Sequence, residues 1–322
     1  MDYKKLYIIG NGFDLYHGIK SSICDLKDYV KEKDFDLYDM IEKYFGDGYL
    51  WSNFEECLGY IHEKTVEDEA SMYLMDYGSD DWSDAGHHDY QYEVNRIIDN
   101  ICNGLKKRFS EWIRLMIITQ TQNDAIKIPK EALYLSFNYT NTLEKLYYIK
   151  PNNIVYIHGK AIDDSSDLIY GHNRVISPTF SEIENKRKSQ LNDWEQGILD
   201  EEYLDTDPRI SEGKEIIRGY YEVTFKNVNG IIEVNTSFFD KLSSIDSIYI
   251  LGHSLNDIDL PYFRHIYSKT GCNVTWHISW HKEDEKNDYK VKLKNIGVCE
   301  SKIKMIRIDD FSIEPKLDFK YD

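Results

Sequence analysis

Proline is scarce in this chain, with six residues among 322. No stretch rich in proline and glycine stands between one part and another, so the expectation is a single α/β domain over 1–322. The five cysteines (Cys24, Cys57, Cys102, Cys272 and Cys299) are odd in number, scattered, and lack any C-x-x-C pair. That argues against a disulfide framework and a cysteine zinc site, and points to a reducing, cytoplasmic home. No run approaches the roughly 20 apolar residues that span a bilayer. The start, MDYKKLYIIGNG, has too short an apolar core for a signal peptide. Cations are in deficit as well: 39 Lys plus Arg face 57 Asp plus Glu, a net charge of −18. A field of that sign repels nucleic acid and anionic membrane, both of which need clustered basic residues. The densest basic runs, Lys106–Arg108 and Lys186–Lys188, read as solvated helix faces.

What the chain does have is aromatic content and apolar punctuation. Its 26 tyrosines mark a folded protein, since disorder-prone chains are poor in aromatics. Leu6–Ile9, Ala132–Phe137, Ile154–Ile157, Leu168–Tyr170, Ser247–Leu251, Val274–Ile278 and Ile303–Ile308 read as short strands. Leu15 to about Lys43, Trp51–Ile61 with Asn53 as a cap, and Tyr92 to about Thr121 read as helices. In the last of these Val94, Ile97, Ile98, Ile101, Leu105, Phe109, Trp112 and Ile113 recur at helical spacing. Residues 76–90 read as an acidic surface loop, and 174–240 as mostly helical and polar. The alternation predicts an α/β fold with a mainly parallel, Rossmann-like sheet flanked by helices. Helical insertions are expected at about 20–125 and 174–240.

Four strands end in small or polar residues: Gly10-Asn11-Gly12, Asn138-Tyr139-Thr140, His158-Gly159 and Gly252-His253-Ser254. In an open parallel sheet, ligands bind outside the carboxyl ends of the strands. Gly10 and Gly12 allow a tight turn and a close ligand approach, and helix amides after such a turn favour an anionic or nucleotide ligand. Structural roles account for the same residues differently: Asp14 as a helix cap, Asn138 as a turn former, His158 as a hydrogen-bonded turn histidine. Leu15 stands where G-x-G-x-x-G requires its third glycine, which counts against a hydride-transfer dehydrogenase. Asn256 stands where the nucleophile elbow G-x-S-x-G ends in glycine, which counts against a serine hydrolase. His172 and His253 lie beside strand-ending glycines, yet no H-x-H or H-E-x-x-H spacing occurs, so no metal is expected. Asp257 and Asp259, two apart, point in different directions, so one can face a pocket while the other caps or is solvated.

Taken together, IIGNGFDLYHG, SFNYTNTLE, YIHGK, IYGHN and YILGHSLNDIDLPYF, in that order, resemble the bacteriophage abortive-infection AbiH family over almost the whole chain. More distantly, the same blocks look like the sirtuin-like NAD-binding fold. The resemblance implies an antiphage defence role and a pocket for NAD or a related nucleotide, either cut at the nicotinamide–ribose bond or only held. It implies that Asn138 and His158 occupy the asparagine and histidine positions of sirtuin-like NAD-hydrolysing enzymes. Gly10, Asn11, Gly12 and Phe13 would lie along the ribose and phosphates, with Gly252, His253, Ser254 and Asn256 on the other side. Asp14 and Asp257 would hold ribose hydroxyls or offset developing charge. Two departures stand out: Thr140 replaces a common aspartate, and GNGFD replaces Gly-Ala-Gly-x-Ser. The absent four-cysteine zinc module argues against deacylation. The implied partners are a nucleotide and a phage-derived trigger, with room for a homo-oligomer. A non-catalytic nucleotide-sensing or partner-binding module is the alternative.

Overall fold

Apolar strands of this kind need cover on both faces, and a computed structural model shows how they obtain it. It describes residues 3–46, 48–78, 86–116, 126–161, 168–174 and 207–311. The chain divides into two compact units. Met1–Tyr29, Phe109–Tyr170 and Asn227–Asp322 make the first, Val30–Arg108 and Gly171–Lys226 the second.

The first unit holds six strands: β1 (Lys5–Ile9), β2 (Leu133–Ser136), β3 (Ile154–Tyr156), β4 (Ser247–Leu251), β5 (Thr275–Ser279) and β6 (Ile303–Ile306). They form one sheet in the order β3-β2-β1-β4-β5-β6, every pair parallel, which is the α/β, Rossmann-like layout expected from the alternation. The order reverses at β1, so the crevice between the carboxyl ends of β1 and β4 is the topological switch point.

Strand periodicity sorts the side chains. Leu6 and Ile8 of β1, Leu133 and Leu135 of β2, and Ile248 and Ile250 of β4 enter one core. There they meet Phe263 and Ile266 of the helix Leu260–Thr270 and Leu293 of the helix Glu285–Ile296. The alternate residues Tyr7, Ile9, Tyr134 and Leu251 join a second core with Phe13, Leu143 and Tyr147. On that face the register sets four rings in a column. Tyr134 stacks on Tyr7 at 5.3 Å, Tyr7 on Tyr249 at 4.8 Å, and Tyr249 on His277 at 4.4 Å between centroids.

Several local expectations are corrected. Leu168–Tyr170 is not a strand: the Ile169 N–H donates to the His158 carbonyl at 2.8 Å, and its carbonyl accepts the Tyr139 hydroxyl. Both bonds are isolated and neither belongs to a ladder, and the bridge that follows is a single one between His172 and Phe225. The continuous helix expected from Leu15 breaks into Asn11–Tyr16, Ile23–Lys33 and Phe35–Phe45. Gly18, at φ +73°, lies in the first break, and the Asp34 carboxylate caps the third helix by accepting the Leu37 N–H at 3.2 Å. Trp51–Ile61 is helical only over Phe54–Cys57, and Asn53 gives its amide to Glu56 at 2.6 Å instead of capping backbone. The long helix spans Asp89–Arg114, starting three residues before Tyr92. Strand β6 stops at Ile306, because Ile308–Phe311 turns into a 3₁₀ helix. Residues 79–85 of the expected loop, 117–121 of the expected helix, and Lys186–Lys188, Trp194 and Leu199 lie outside the described residues.

In the second unit, the helices Phe35–Phe45, Phe54–Cys57, Glu63–Ala70 and Pro208–Val223 bury Tyr44, Phe45, Phe54, Val66, Ile217 and Tyr220, and the Phe45 and Tyr220 rings meet at 6.2 Å. Two buried polar groups there have close partners. The Lys226 ammonium, 1% exposed, lies 3.0 Å from the Glu55 carboxylate, and the Tyr220 hydroxyl donates to the Leu58 carbonyl at 2.7 Å.

Candidate functional site

In the first unit, strand termination brings the polar ends together. The Gly10 N–H donates to the Leu251 carbonyl at 3.0 Å, and the Gly12 N–H to the Gly252 carbonyl at 2.7 Å. A Cβ on Gly10 would lie 2.6 Å from His253 Cα, and one on Gly12 2.9 Å from Gly252 Cα. Gly252 itself has φ +67°, in the left-handed region, and its N–H donates to Ser279 Oγ at 2.8 Å. The glycines therefore seat the β4 turn directly on the β1 turn at the switch point.

Around this contact lies a layer of buried polar side chains. Asn138, at the end of β2, donates from Nδ2 to the Gly10 carbonyl at 3.1 Å. Asp14 lies within the short helix Asn11–Tyr16 and not at its cap, which is Gly10. Its Oδ2 accepts the Thr140 hydroxyl at 2.6 Å and its Oδ1 the Thr142 hydroxyl at 2.7 Å. Burial pushes the Asp14 carboxyl above its ordinary range, and the bonds from Thr140, Thr142 and Asn138 offset only part of that rise.

The histidines converge on a single carboxylate. His158 follows β3 and His253 follows β4, and both face Asp259, which immediately precedes the helix Leu260–Thr270. His253 Nε2 lies 3.4 Å from Asp259 Oδ2, and His158 Nε2 lies 3.8 Å from Asp259 Oδ1. The other His253 ring nitrogen, Nδ1, accepts the Leu255 N–H at 2.9 Å. Phe137 meets both imidazoles edge-on, at 5.2 Å from His158 and 4.4 Å from His253. Tyr262 and Phe263 complete the wall. Asn138, His158, His253 and Asp259 are each less than a tenth exposed.

The remaining residues named from the sequence are differently placed. Phe13 is fully buried in the second core, against His17 and Tyr147. Asn11 is exposed, and its amide donates to the Ser21 carbonyl at 2.8 Å. Ser254, Asn256 and Asp257 are exposed on the β4 turn. Of the two carboxylates in the DID segment, Asp259 is the one that meets the histidines. Sequence spacing separates the two but does not rank them. A cue was present in the Asp259-Leu260-Pro261 run, a helix-start signature that anchors Asp259 at a fixed point. Thr142 carries no such cue.

The second unit has an open cavity of about 640 Å³ whose lining includes Tyr60, Glu63, Arg174 and Tyr221. The Arg174 guanidinium lies 4.6 Å over the Tyr60 ring, and the Tyr221 hydroxyl donates to Glu63 at 2.7 Å. Among the described residues, no group of three His, Cys, Asp or Glu side chains is arranged to hold a metal, and no helix is long and apolar enough to cross a membrane.

A parallel α/β sheet with polar side chains gathered at its carboxyl edge defines a Rossmann-like protein. Residues 6–280, well over half of the chain, match the model of the bacteriophage abortive infection AbiH family, and the chain belongs to it. That membership gives the protein an abortive-infection role against bacteriophage. No curated protein matches the chain.

Proposed function

We propose that the protein acts in abortive infection by binding a nucleotide at the carboxyl edge of its sheet and cleaving NAD at the nicotinamide–ribose bond. The observation that supports this reading is the gathering of Asn138, His158, His253 and Asp259 at the ends of β2 to β4. Burying that many polar groups is costly even when they are partnered, and such gatherings of titratable groups are characteristic of functional sites. In the reaction the C–N bond to nicotinamide breaks, and its electron pair leaves with the ring. Water then adds to the resulting sugar cation and gives up a proton. Asn138 orients that water through its amide, and His158 takes the proton near neutral pH. Asp257 and Asn256, exposed on the β4 turn, meet the ribose hydroxyls.

Because the reacting groups are enclosed, substrate entry requires the Gly252–Asp257 turn to lift from the Gly10–Gly12 turn, and a phage-derived trigger supplies that opening. The test is incubation of purified protein with NAD, with and without phage lysate, measuring nicotinamide and ADP-ribose. Product that disappears in His158→Ala and in Asn138→Ala, with folding intact, supports the reading. Equal turnover in all three proteins, or none under either condition, sinks it.

The second reading is a non-catalytic nucleotide-sensing or partner-binding module, and what favours it is the open, tyrosine-lined cavity of the second unit. Aromatic faces beside an arginine and a carboxylate suit a planar, polar ligand. Calorimetric binding of a nucleotide without turnover, lost in Tyr60→Ala but kept in His158→Ala, would select it.

A further inference from the structure

We propose that Asp14 is a positioning residue that works as a neutral carboxylic acid, closing a ring of hydrogen bonds with Thr140 and Thr142. The ring ties the turn after β2, and Asn138 with it, to the helix that follows β1. This deepens the catalytic reading above and rests on it only for the effect on turnover. Three oxygen–oxygen contacts join the three side chains. Asp14 Oδ2 lies 2.6 Å from Thr140 Oγ1, Thr140 Oγ1 2.9 Å from Thr142 Oγ1, and Thr142 Oγ1 2.7 Å from Asp14 Oδ1. Each is of hydrogen-bond length and needs one hydrogen, and the two hydroxyls supply two. With Asp14 ionised, both hydroxyls donate to the carboxylate, and the threonine oxygens face each other with no hydrogen between them. A third hydrogen, on Asp14 Oδ1, closes the set: Oδ1–H donates to Thr142, Thr142 to Thr140, and Thr140 to Oδ2. An oxygen–oxygen distance does not itself say which atom carries the hydrogen, and only the neutral acid satisfies all three contacts.

The surroundings act in the same direction. Asp14, Thr140 and Thr142 are all buried, and the burial that raises the Asp14 pKa favours the uncharged acid. The Asn138 amide and a protonated His17 oppose it; His17 bonds the Phe13 carbonyl and the Tyr147 hydroxyl through its ring nitrogens. Tyr156 of β3 also faces Asp14, and burial keeps its phenol protonated. Glu144, which Tyr156 faces as well, is matched by the Lys160 ammonium at 3.0 Å. Asn138 stands two residues before Thr140 and donates to the Gly10 carbonyl at 3.1 Å, so the ring fixes the segment that carries its amide. Ionisation of Asp14 takes one link from the ring and loosens that segment. Asp14 acts through Asn138 and does not itself touch substrate.

Aspartate carboxyl ¹³C spectra of the full-length protein test the protonation without substrate, with Asp14→Asn assigning the signal. Near neutral pH, where an ordinary aspartate is ionised, the Asp14 carboxyl is expected in its protonated form. Should Asp14→Asn fail to fold, Thr142→Val assigns the signal instead, because removing a link of the ring must shift it. An Asp14 signal in the ionised position at that pH would overturn the proposal. Positioning has its own readout in the side-chain amide signals of Asn138. Asp14→Asn, whose amide N–H replaces the acid O–H in the ring, is expected to leave them in place, and Thr142→Val to move them. A folded Thr142→Val protein with those signals unmoved would also overturn it. Where NAD cleavage is observed, wild-type turnover is expected to fall on the order of tenfold as pH rises through the ionisation of Asp14, a fall that Asp14→Asn lacks. Identical pH profiles in the two proteins would sink the positioning role. If no NAD is cleaved, the catalytic reading falls while the spectra decide the ring alone.

Discussion

Gly12 and Gly252 meet backbone to backbone: the Gly12 N–H donates to the Gly252 carbonyl at 2.7 Å, and a Cβ on Gly12 would stand 2.9 Å from Gly252 Cα. A side chain on Gly252 would collide with the Phe13 nitrogen and would also have to adopt φ +67°. Both faults push the same way. Gly252→Ala should cost about 3 kcal/mol of stability, with strain and overpacking contributing comparably. Denaturant melts of the purified variant check it; a loss under about 0.5 kcal/mol, the range of an ordinary surface change, would contradict it.

Asp14 makes stability depend on pH in a defined direction. Burial holds its folded-state pKa above the unfolded value, so the folded protein binds this proton more tightly. The stability it contributes is fully present below the ordinary carboxylate range and is lost as pH rises through the raised folded value. Asp14→Asn removes that titration. The difference in melting free energy between Asp14→Asn and wild type should therefore move in favour of asparagine as pH rises from about 4 toward neutrality. A difference that is flat across that window would refute the assignment. Asp14→Ala, which leaves the Thr140 and Thr142 hydroxyls without this acceptor, should cost on the order of 2 kcal/mol.

Asp257 provides the matching control. It is exposed on the β4 turn, and Asp257→Ala should leave the melting free energy within about 0.5 kcal/mol. Under the proposed function the same change raises KM for NAD and leaves kcat close to wild type, as expected for a residue that contacts the ligand and not the reacting bond.

Elsewhere, the Lys226–Glu55 pair anchors the second unit. Glu55→Ala leaves an ammonium that is 1% exposed without its carboxylate, and should cost about 3 kcal/mol. Lys226→Met, which removes the buried charge and keeps most of the volume, should cost clearly less. Thermal melts of the two single variants decide the order.

Much of the sheet was legible because parallel strands announce themselves as apolar runs broken by small or polar residues. Leu6–Ile9 and Ser247–Leu251 fall on β1 and β4 to within a residue. Helix breaks were less visible, since Gly18 and Asp34 interrupt a helical period that continues in the apolar residues on either side. Leu168–Tyr170 has strand composition but only three residues, and composition does not say whether a neighbour offers a ladder. At the site, Asn138, His158 and His253 were found because each ends an apolar run. Asp259 was not, because a choice between two carboxylates depends on which one a distant histidine reaches. The same limit hides the Gly12–Gly252 contact, which joins residues from opposite ends of the family segment.

The ring column Tyr134–Tyr7–Tyr249–His277 crosses four strands, and every member is set by a register partner. A slip of one residue in any of these pairings would carry a ring to the opposite face of the sheet. Closely stacked chromophores couple electronically, so the near-ultraviolet circular dichroism of the folded chain carries a built-in gauge of strand alignment. Tyr7→Leu, placed at the middle of the column, divides that chromophore in two and provides the blank against which the gauge is read.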